Sequence, residues 1–294
     1  MSLMNLYFSG WLHPGENRTI NVGGLNRSYV VHVPKHHDET SPMPVVLALH
    51  GATMNGPMMA WFTDLNHKAD EASFIAVYPN GTGKRSSLFW NGGKCCGSAV
   101  KENVDDVAFI DALLDDLLRN YPVDAQRIFA TGMSNGGIMA YRLAAELSDR
   151  IAAIAPVAGS LSIEVGDLKR PVSVIHFHGT KDEFVPFEGG KGSKSITGTH
   201  FLSAEQSVGF WVKANGCDES PRTELLSKSG DEMTVTRKNY GAGKGGAEVA
   251  LVVIDGAGHT WPGKKPPTRM LGKSALNISA NDLMWDFFQR HRLA

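Results

Sequence analysis

Two hydrophobic patterns alternate along the chain. Short, unbroken apolar runs occupy 45–49, 74–78, 127–131, 152–157, 172–177 and 249–254. Runs of this length without polar alternation mark strands covered on both faces. Between them lie segments with helical spacing. Over 104–120, Val104, Val107, Ile110, Leu113, Leu114, Leu117 and Leu118 share one face. Asp105 and Asp106 stand in its first turn, where negative charge complements the helix dipole. Further helices are expected over 58–71, 135–147, 204–215 and 280–291, the last carrying Leu283, Met284, Phe287 and Phe288 on one face. At the start, 19–22 and 29–33 alternate around Gly23-Gly24-Leu25-Asn26 and read as a hairpin. A second hairpin is expected over 223–240, turning at Lys228-Ser229-Gly230-Asp231. The Gly-, Lys- and Ser-rich stretch 188–199 reads as a loop.

Strands alternating with helices predict an α/β fold: a mostly parallel twisted sheet, helices on both faces, and an N-terminal β-hairpin. No repeat or long linker interrupts it, so a single domain over 4–294 is expected, with Met1-Ser2-Leu3 as an added leader.

Candidate chemistry begins at Gly132-Met133-Ser134-Asn135-Gly136, which joins a predicted strand to a predicted helix. In such a tight turn glycines relieve crowding and the serine stands clear above the sheet. A serine hydroxyl is a poor nucleophile at neutral pH and needs a base. Two later strands lead into suitable loops. The run 172–177 enters His178-Gly179-Thr180-Lys181-Asp182, and the run 249–254 enters Asp255-Gly256-Ala257-Gly258-His259. The order Ser134, Asp182, His259 is the nucleophile, acid, base order of α/β-hydrolases. His259 would accept the serine proton and return it to the leaving group, while Asp182 holds the imidazole tautomer. The oxyanion donors expected are the backbone amides of Asn135 and of Ala52, in the loop His50-Gly51-Ala52-Thr53.

Lesser candidates have bland readings beside them. His50 reads as a brace for that loop. His176 and His178 share one strand face, but no third ligand accompanies them, so no metal is expected. Glu183 rivals Asp182, and Asp255 reads as structural. Trp261, two residues beyond His259, and Trp90 are the candidate substrate-binding aromatics.

Composition then narrows the classes. The chain has 294 residues, 42% hydrophobic and 20% charged, with net charge −1. That balance makes no electrostatic case for nucleic acid or an anionic membrane. No apolar stretch reaches the length of a membrane span. Cys95, Cys96 and Cys217 lack zinc-site spacing; a bridge from one of the pair to Cys217 and three free thiols both stay open.

Taken together, Leu49-His50-Gly51, Trp90-Asn91-Gly92-Gly93, Val104-Asp105-Asp106-Val107, Gly132-Met133-Ser134-Asn135-Gly136-Gly137, His178-Gly179-Thr180-Lys181-Asp182 and Gly258-His259-Thr260-Trp261-Pro262-Gly263 resemble the polyhydroxybutyrate-depolymerase-like esterases. That group is similar to the feruloyl and acetylxylan esterases of carbohydrate esterase family 1. The resemblance runs from about Asn21 to His291. It implies the α/β-hydrolase fold, Ser134, Asp182 and His259 as triad, and Ala52 with Asn135 at the oxyanion. It implies an acyl-enzyme serine esterase without cofactor or metal, acting on small or oligomeric esters, either 3-hydroxybutyrate oligomers or feruloyl and acetyl esters. A peptidase or thioesterase on the same scaffold is the alternative, and a non-catalytic binding protein a remote one. The resemblance also implies a secreted or periplasmic location. No signal peptide is visible in the chain, and a cytoplasmic location stays open.

Overall fold

A computed structural model describes residues 15–35, 41–85, 87–227 and 233–293. The chain opens with the hairpin β1 (Glu16–Val22) and β2 (Leu25–His32), whose two-residue turn Gly23-Gly24 places Val22 opposite Leu25. β3 (Met43–Leu49) leads to two short helices, α1 (Gly56–Thr63) and α2 (Leu65–Ala72), and then β4 (Ile75–Pro79). The single helix expected over 58–71 is therefore broken. Asp64 adopts the left-handed conformation at φ 51 and ends α1 while starting α2.

A small ribbon follows, β5 (Thr82–Lys84) and β6 (Ser87–Phe89), then α3 (Gly97–Lys101) and α4 (Asp106–Asn120). The central crossover runs β7 (Val123–Met133), α5 (Asn135–Glu146), β8 (Ala153–Val157) and β9 (Ser173–Gly179). α6 (Ala204–Asn215), the strands β10 (Arg222–Ser227), β11 (Val235–Ala242) and β12 (Glu248–Ile254), and α7 (Ala280–Phe288) complete the order. The expected turn 228–231 of the second hairpin lies outside the described residues.

One 10-stranded sheet has the order β1-β2-β4-β3-β7-β8-β9-β12-β11-β10. Its centre, β4 through β12, is parallel, and an antiparallel hairpin flanks it at each end. The hairpin expected over 223–240 continues the main sheet beyond β12. Side chains alternate between two cores. Val45, Leu47 and Leu49 face the cluster containing α4, α5 and α6, while Val46 and Ala48 face the one containing α1, α2 and α7. Burial on both faces is why the strands read as continuous apolar runs. The chain steps from β3 outward to β4 and returns to β7 on the other side of β3. Strand order reverses there, and such a switch leaves a crevice at the carboxyl ends of the two strands.

The start of α4 departs from the dipole reading. Asp105 is the N-cap, accepting from the amide of Ala108 at 2.9 Å. Asp106 is wholly buried and works elsewhere. One carboxylate oxygen takes the Arg27 guanidinium at 2.6 Å and the other takes the Asn91 amide at 2.7 Å. Arg27 also lies 4.0 Å over the Phe109 ring and donates to the Asn80 carbonyl. Burial raises the Asp106 carboxyl from its ordinary value, against the opposing pull of Arg27.

Candidate active site

Four loops meet beyond the parallel strand ends. β3 delivers Ala52, β7 delivers Ser134, β9 delivers Asp182 and β12 delivers His259. Register aligns them, with Leu49 opposite Gly132 and Ile254 opposite Gly179.

Ser134 sits at φ 56 and ψ −120, a region that a residue with a Cβ rarely adopts. Two bonds hold it there. Its amide donates to the Val157 carbonyl at 2.9 Å, and its carbonyl accepts from Ile138 at 2.9 Å. The bend also needs bare glycine. A Cβ at Gly136 would stand 2.1 Å from the Leu49 carbonyl oxygen, so only hydrogen there lets α5 start against β3.

His259 Nδ1 lies 2.7 Å from Asp182 Oδ2, and both residues are buried. The other oxygen, Oδ1, accepts the amides of Phe184 at 2.8 Å and Val185 at 3.0 Å. Burial by itself would raise the Asp182 carboxyl. The charge of His259 and the hydrogen bonds from His178 and His259 outweigh it and hold the group well below the usual carboxylate range. An ionised carboxylate only accepts, so Nδ1 carries the proton and Nε2 is left as the basic nitrogen. The Phe184 ring lies 4.9 Å from the His259 ring. Among the described residues no hydrogen bond joins Ser134 to His259; such contacts often tighten only with substrate.

Ser134, Ala52 and Asn135 line one small cavity of about 30 Å³. Its apolar walls include Ile138, Val185, Phe201 and Cys96, and Ser195-Ile196-Thr197 close one side. Among the described residues neither the Ala52 nor the Asn135 amide donates to a backbone carbonyl in the surrounding turns. Asn135 opens α5, where amides lack intrahelical acceptors. Both polar atoms of its side chain are engaged. Oδ1 accepts the Trp90 amide at 2.8 Å and Nδ2 donates to the Trp90 carbonyl at 3.0 Å. A separate cavity of about 920 Å³ opens beside β5 and β6, and none of the triad candidates lines it.

The two tryptophans take other places than expected. Both indoles are 0% exposed, so neither offers a surface to substrate in this structure. Trp90 Nε1 donates to the His50 carbonyl at 3.1 Å, and Trp261 Nε1 donates to Asn281 Oδ1 at 2.9 Å. Closeness in sequence to His259 says nothing about side-chain direction, and each indole finds its partner inside. Several of the wall residues, Phe184, Val185, Phe201 and 195–197, lie in aperiodic loops with no local signal. Glu183 instead pairs with Lys194 at 2.5 Å, and Asp255 accepts from the Thr180 hydroxyl at 2.8 Å.

The cysteine question resolves differently from either expectation. The sulfurs of Cys95 and Cys96 are bonded to each other, and Cys217 is free and buried. Among the described residues no group of three or more His, Cys, Asp or Glu could hold a metal ion.

His50 braces the loop 50–53 as a neutral ring. Nδ1 faces the Gly51 carbonyl at 2.8 Å as donor, and Nε2 accepts the Gly81 amide at 3.0 Å. Burial pulls its pKa from 6.5 to about 4, with nearby Arg27 adding to the effect against the Gly51 bond. The folded value lies below the unfolded one. The neutral ring's contribution is therefore complete above about pH 6.5 and is lost as pH falls toward about 4, a change on the order of 3 kcal/mol. Thermal midpoints should accordingly drop across that window. His291 is also lowered to about 4, so His50→Gln should flatten the slope only in part. An identical slope in the variant would count against this origin.

Residues 27–184 match the family described as esterase PHB depolymerase. The chain belongs to that family. It is a carboxylic ester hydrolase. The chain is 30% identical over 287 residues to the "Putative esterase NocK" of Nocardia uniformis subsp. tsuyamanensis, covering 92% of this chain and 81% of that protein. It is 34% identical over 194 residues to feruloyl esterase B of Piromyces equi, covering 63% of this chain but only 33% of that longer protein. In fold it is similar to an acetyl xylan esterase from Aspergillus awamori, with TM-score 0.62 and 16% identity over 93% of this chain and 100% of the other. Among the described residues no helix is long and apolar enough to cross a membrane.

Proposed function

We propose that this esterase hydrolyses esters with a small acyl group through an acyl-enzyme on Ser134. The observation that carries the reading is the buried Asp182–His259 pair beside the cavity of about 30 Å³ that Ser134 lines. Ser134 Oγ attacks the acyl carbon while His259 Nε2 takes its proton. The amides of Ala52 and Asn135 receive the negative charge developing on the carbonyl oxygen. Collapse breaks the ester bond, and His259 returns the proton to the departing alcohol. Water then attacks the acyl-enzyme, with His259 again as base, and releases the acid.

The cavity beside Ser134 is small, which favours acetyl to 3-hydroxybutyryl groups. With p-nitrophenyl esters of rising length, kcat/KM should fall about tenfold or more between butyrate and octanoate, as an unaccommodated chain is worth about that per misfitting group. Methyl ferulate should lie with the poor substrates. A feruloyl reading is supported by the names of relatives such as the Piromyces equi enzyme. Ferulate turnover within threefold of the acetyl ester would select it, and would require Ser195-Ile196-Thr197 to move. A matched amide turned over as fast as its ester would favour a peptidase instead. Stoichiometric fluorophosphonate labelling that maps anywhere but Ser134 would sink the assignment. The Cys95–Cys96 bond supports action outside a reducing compartment. A thiol count on protein recovered without reductant tests that, and three free thiols would count against it.

A further inference from the structure

Beneath the Asp182 turn lies a line of buried polar groups that the ester mechanism does not use. Tyr141 and His176 are 0% exposed and His178 is 1% exposed. The Tyr141 hydroxyl is 2.8 Å from His176 Nδ1, His176 Nε2 is 2.9 Å from His178 Nδ1, and His178 Nε2 is 2.8 Å from the Val185 carbonyl. We propose that Tyr141, His176 and His178 form a one-way hydrogen-bond chain that positions Asp182 for its work on His259. The proposal rests on the reading of Asp182 as the triad acid.

The direction of the chain follows from its last acceptor. A carbonyl oxygen only accepts, so His178 Nε2 carries hydrogen. In a neutral ring His178 Nδ1 is then an acceptor. His176 Nε2 must donate to it, which leaves His176 Nδ1 to accept from the Tyr141 hydroxyl. Burial holds His176 well below its ordinary value and keeps that ring neutral. Each group thus has one orientation, and a single carbonyl sets them all.

What the chain holds is the turn 182–185. His178 Nε2 also lies 3.5 Å from Asp182 Oδ2, the oxygen that meets His259. The Val185 amide donates to Asp182 Oδ1 while the Val185 carbonyl takes His178. His178 therefore anchors the Val185 end of the turn, and the Val185 amide ties that end to Asp182. The same turn presents Phe184 to the His259 ring and Val185 to the cavity wall. These histidines touch no reacting atom in this arrangement; they are positioning residues.

His178→Leu removes the donor and the acceptor together. It should lower kcat about 10- to 100-fold with KM within about threefold, because a small misplacement of the acid–base pair costs turnover more than binding. His178→Gln can donate to Val185 and accept from His176, and should recover to within about fivefold of the parent. Tyr141→Phe covers the case in which His178→Leu fails to fold. It deletes only the hydroxyl, leaves His176 Nδ1 buried without its donor, and should lower kcat severalfold while broadening the low-field proton resonance of His259 Nδ1. A folded His178→Leu with more than half the parental kcat would overturn the proposal. So would equal losses in the Leu and Gln variants, or a Tyr141→Phe protein unchanged in both rate and resonance. Asp182→Asn separates the two levels. If it keeps near-parental kcat, the triad reading fails; if it is inactive while the chain variants are normal, the positioning role fails alone.

Discussion

Ser134→Ala is expected to lower kcat on a chromogenic acetyl ester by about 10⁴-fold or more, leaving the thermal midpoint within about 2 °C of the parent. On the proposed mechanism, removing the nucleophile ends acyl-enzyme formation, and the proposed base and oxyanion amides cannot replace it. What remains is the modest acceleration that donors and binding give to attack by water. The fold should not notice. Alanine suits φ 56 no worse than serine, and the two bonds that hold the bend come from the backbone. Steady-state rates with an active-site titration check the result. Turnover above about 1% of the parent would refute Ser134 as nucleophile.

Asp106→Ala is expected to have the largest effect on stability, a loss of about 3–5 kcal/mol, or roughly 10 °C in midpoint. The Arg27 guanidinium, 3% exposed, would be left in the interior with no counter-charge. The Asn91 amide would lose its acceptor at the same time. Arg27→Met with Asp106→Leu should recover much of the loss, since the cost arises from stranding one charge and not from lacking the pair. Denaturant melts of the single and double variants test this; a single variant within about 1 kcal/mol of the parent would be inconsistent. Activity should fall too, because Asn91 adjoins Trp90, whose amide and carbonyl are tied to Asn135.

The central strands were legible because a strand buried on both faces leaves an unbroken apolar run. The positions of Ser134, Asp182 and His259 beyond strand ends were legible for the same reason. Long-range partners were not. The reading of Asp106 stopped at the helix start because Arg27 lies 79 residues away. The break at Asp64 carries no glycine or proline to announce it. The place of β10 and β11 in the main sheet depends on pairing with β12, which local pattern does not encode. Trp90 and Trp261 show the limit most plainly: aromatic residues near reactive ones point inward or outward according to partners such as His50 and Asn281.

A bond between Cys95 and Cys96 encloses no intervening residues. A cross-link stabilises chiefly by restricting the unfolded chain, and one between neighbours restricts almost nothing. A bridge to Cys217 would have closed a loop of about 120 residues and contributed about 5 kcal/mol on that account. The two sulfurs therefore do not act as a staple. They make an apolar plate out of two otherwise independent side chains, packed with Ile138, Val185 and Phe201 where Cys96 meets the cavity. The oxidation state of this pair bears on the shape of the cleft and hardly at all on whether the chain stays folded.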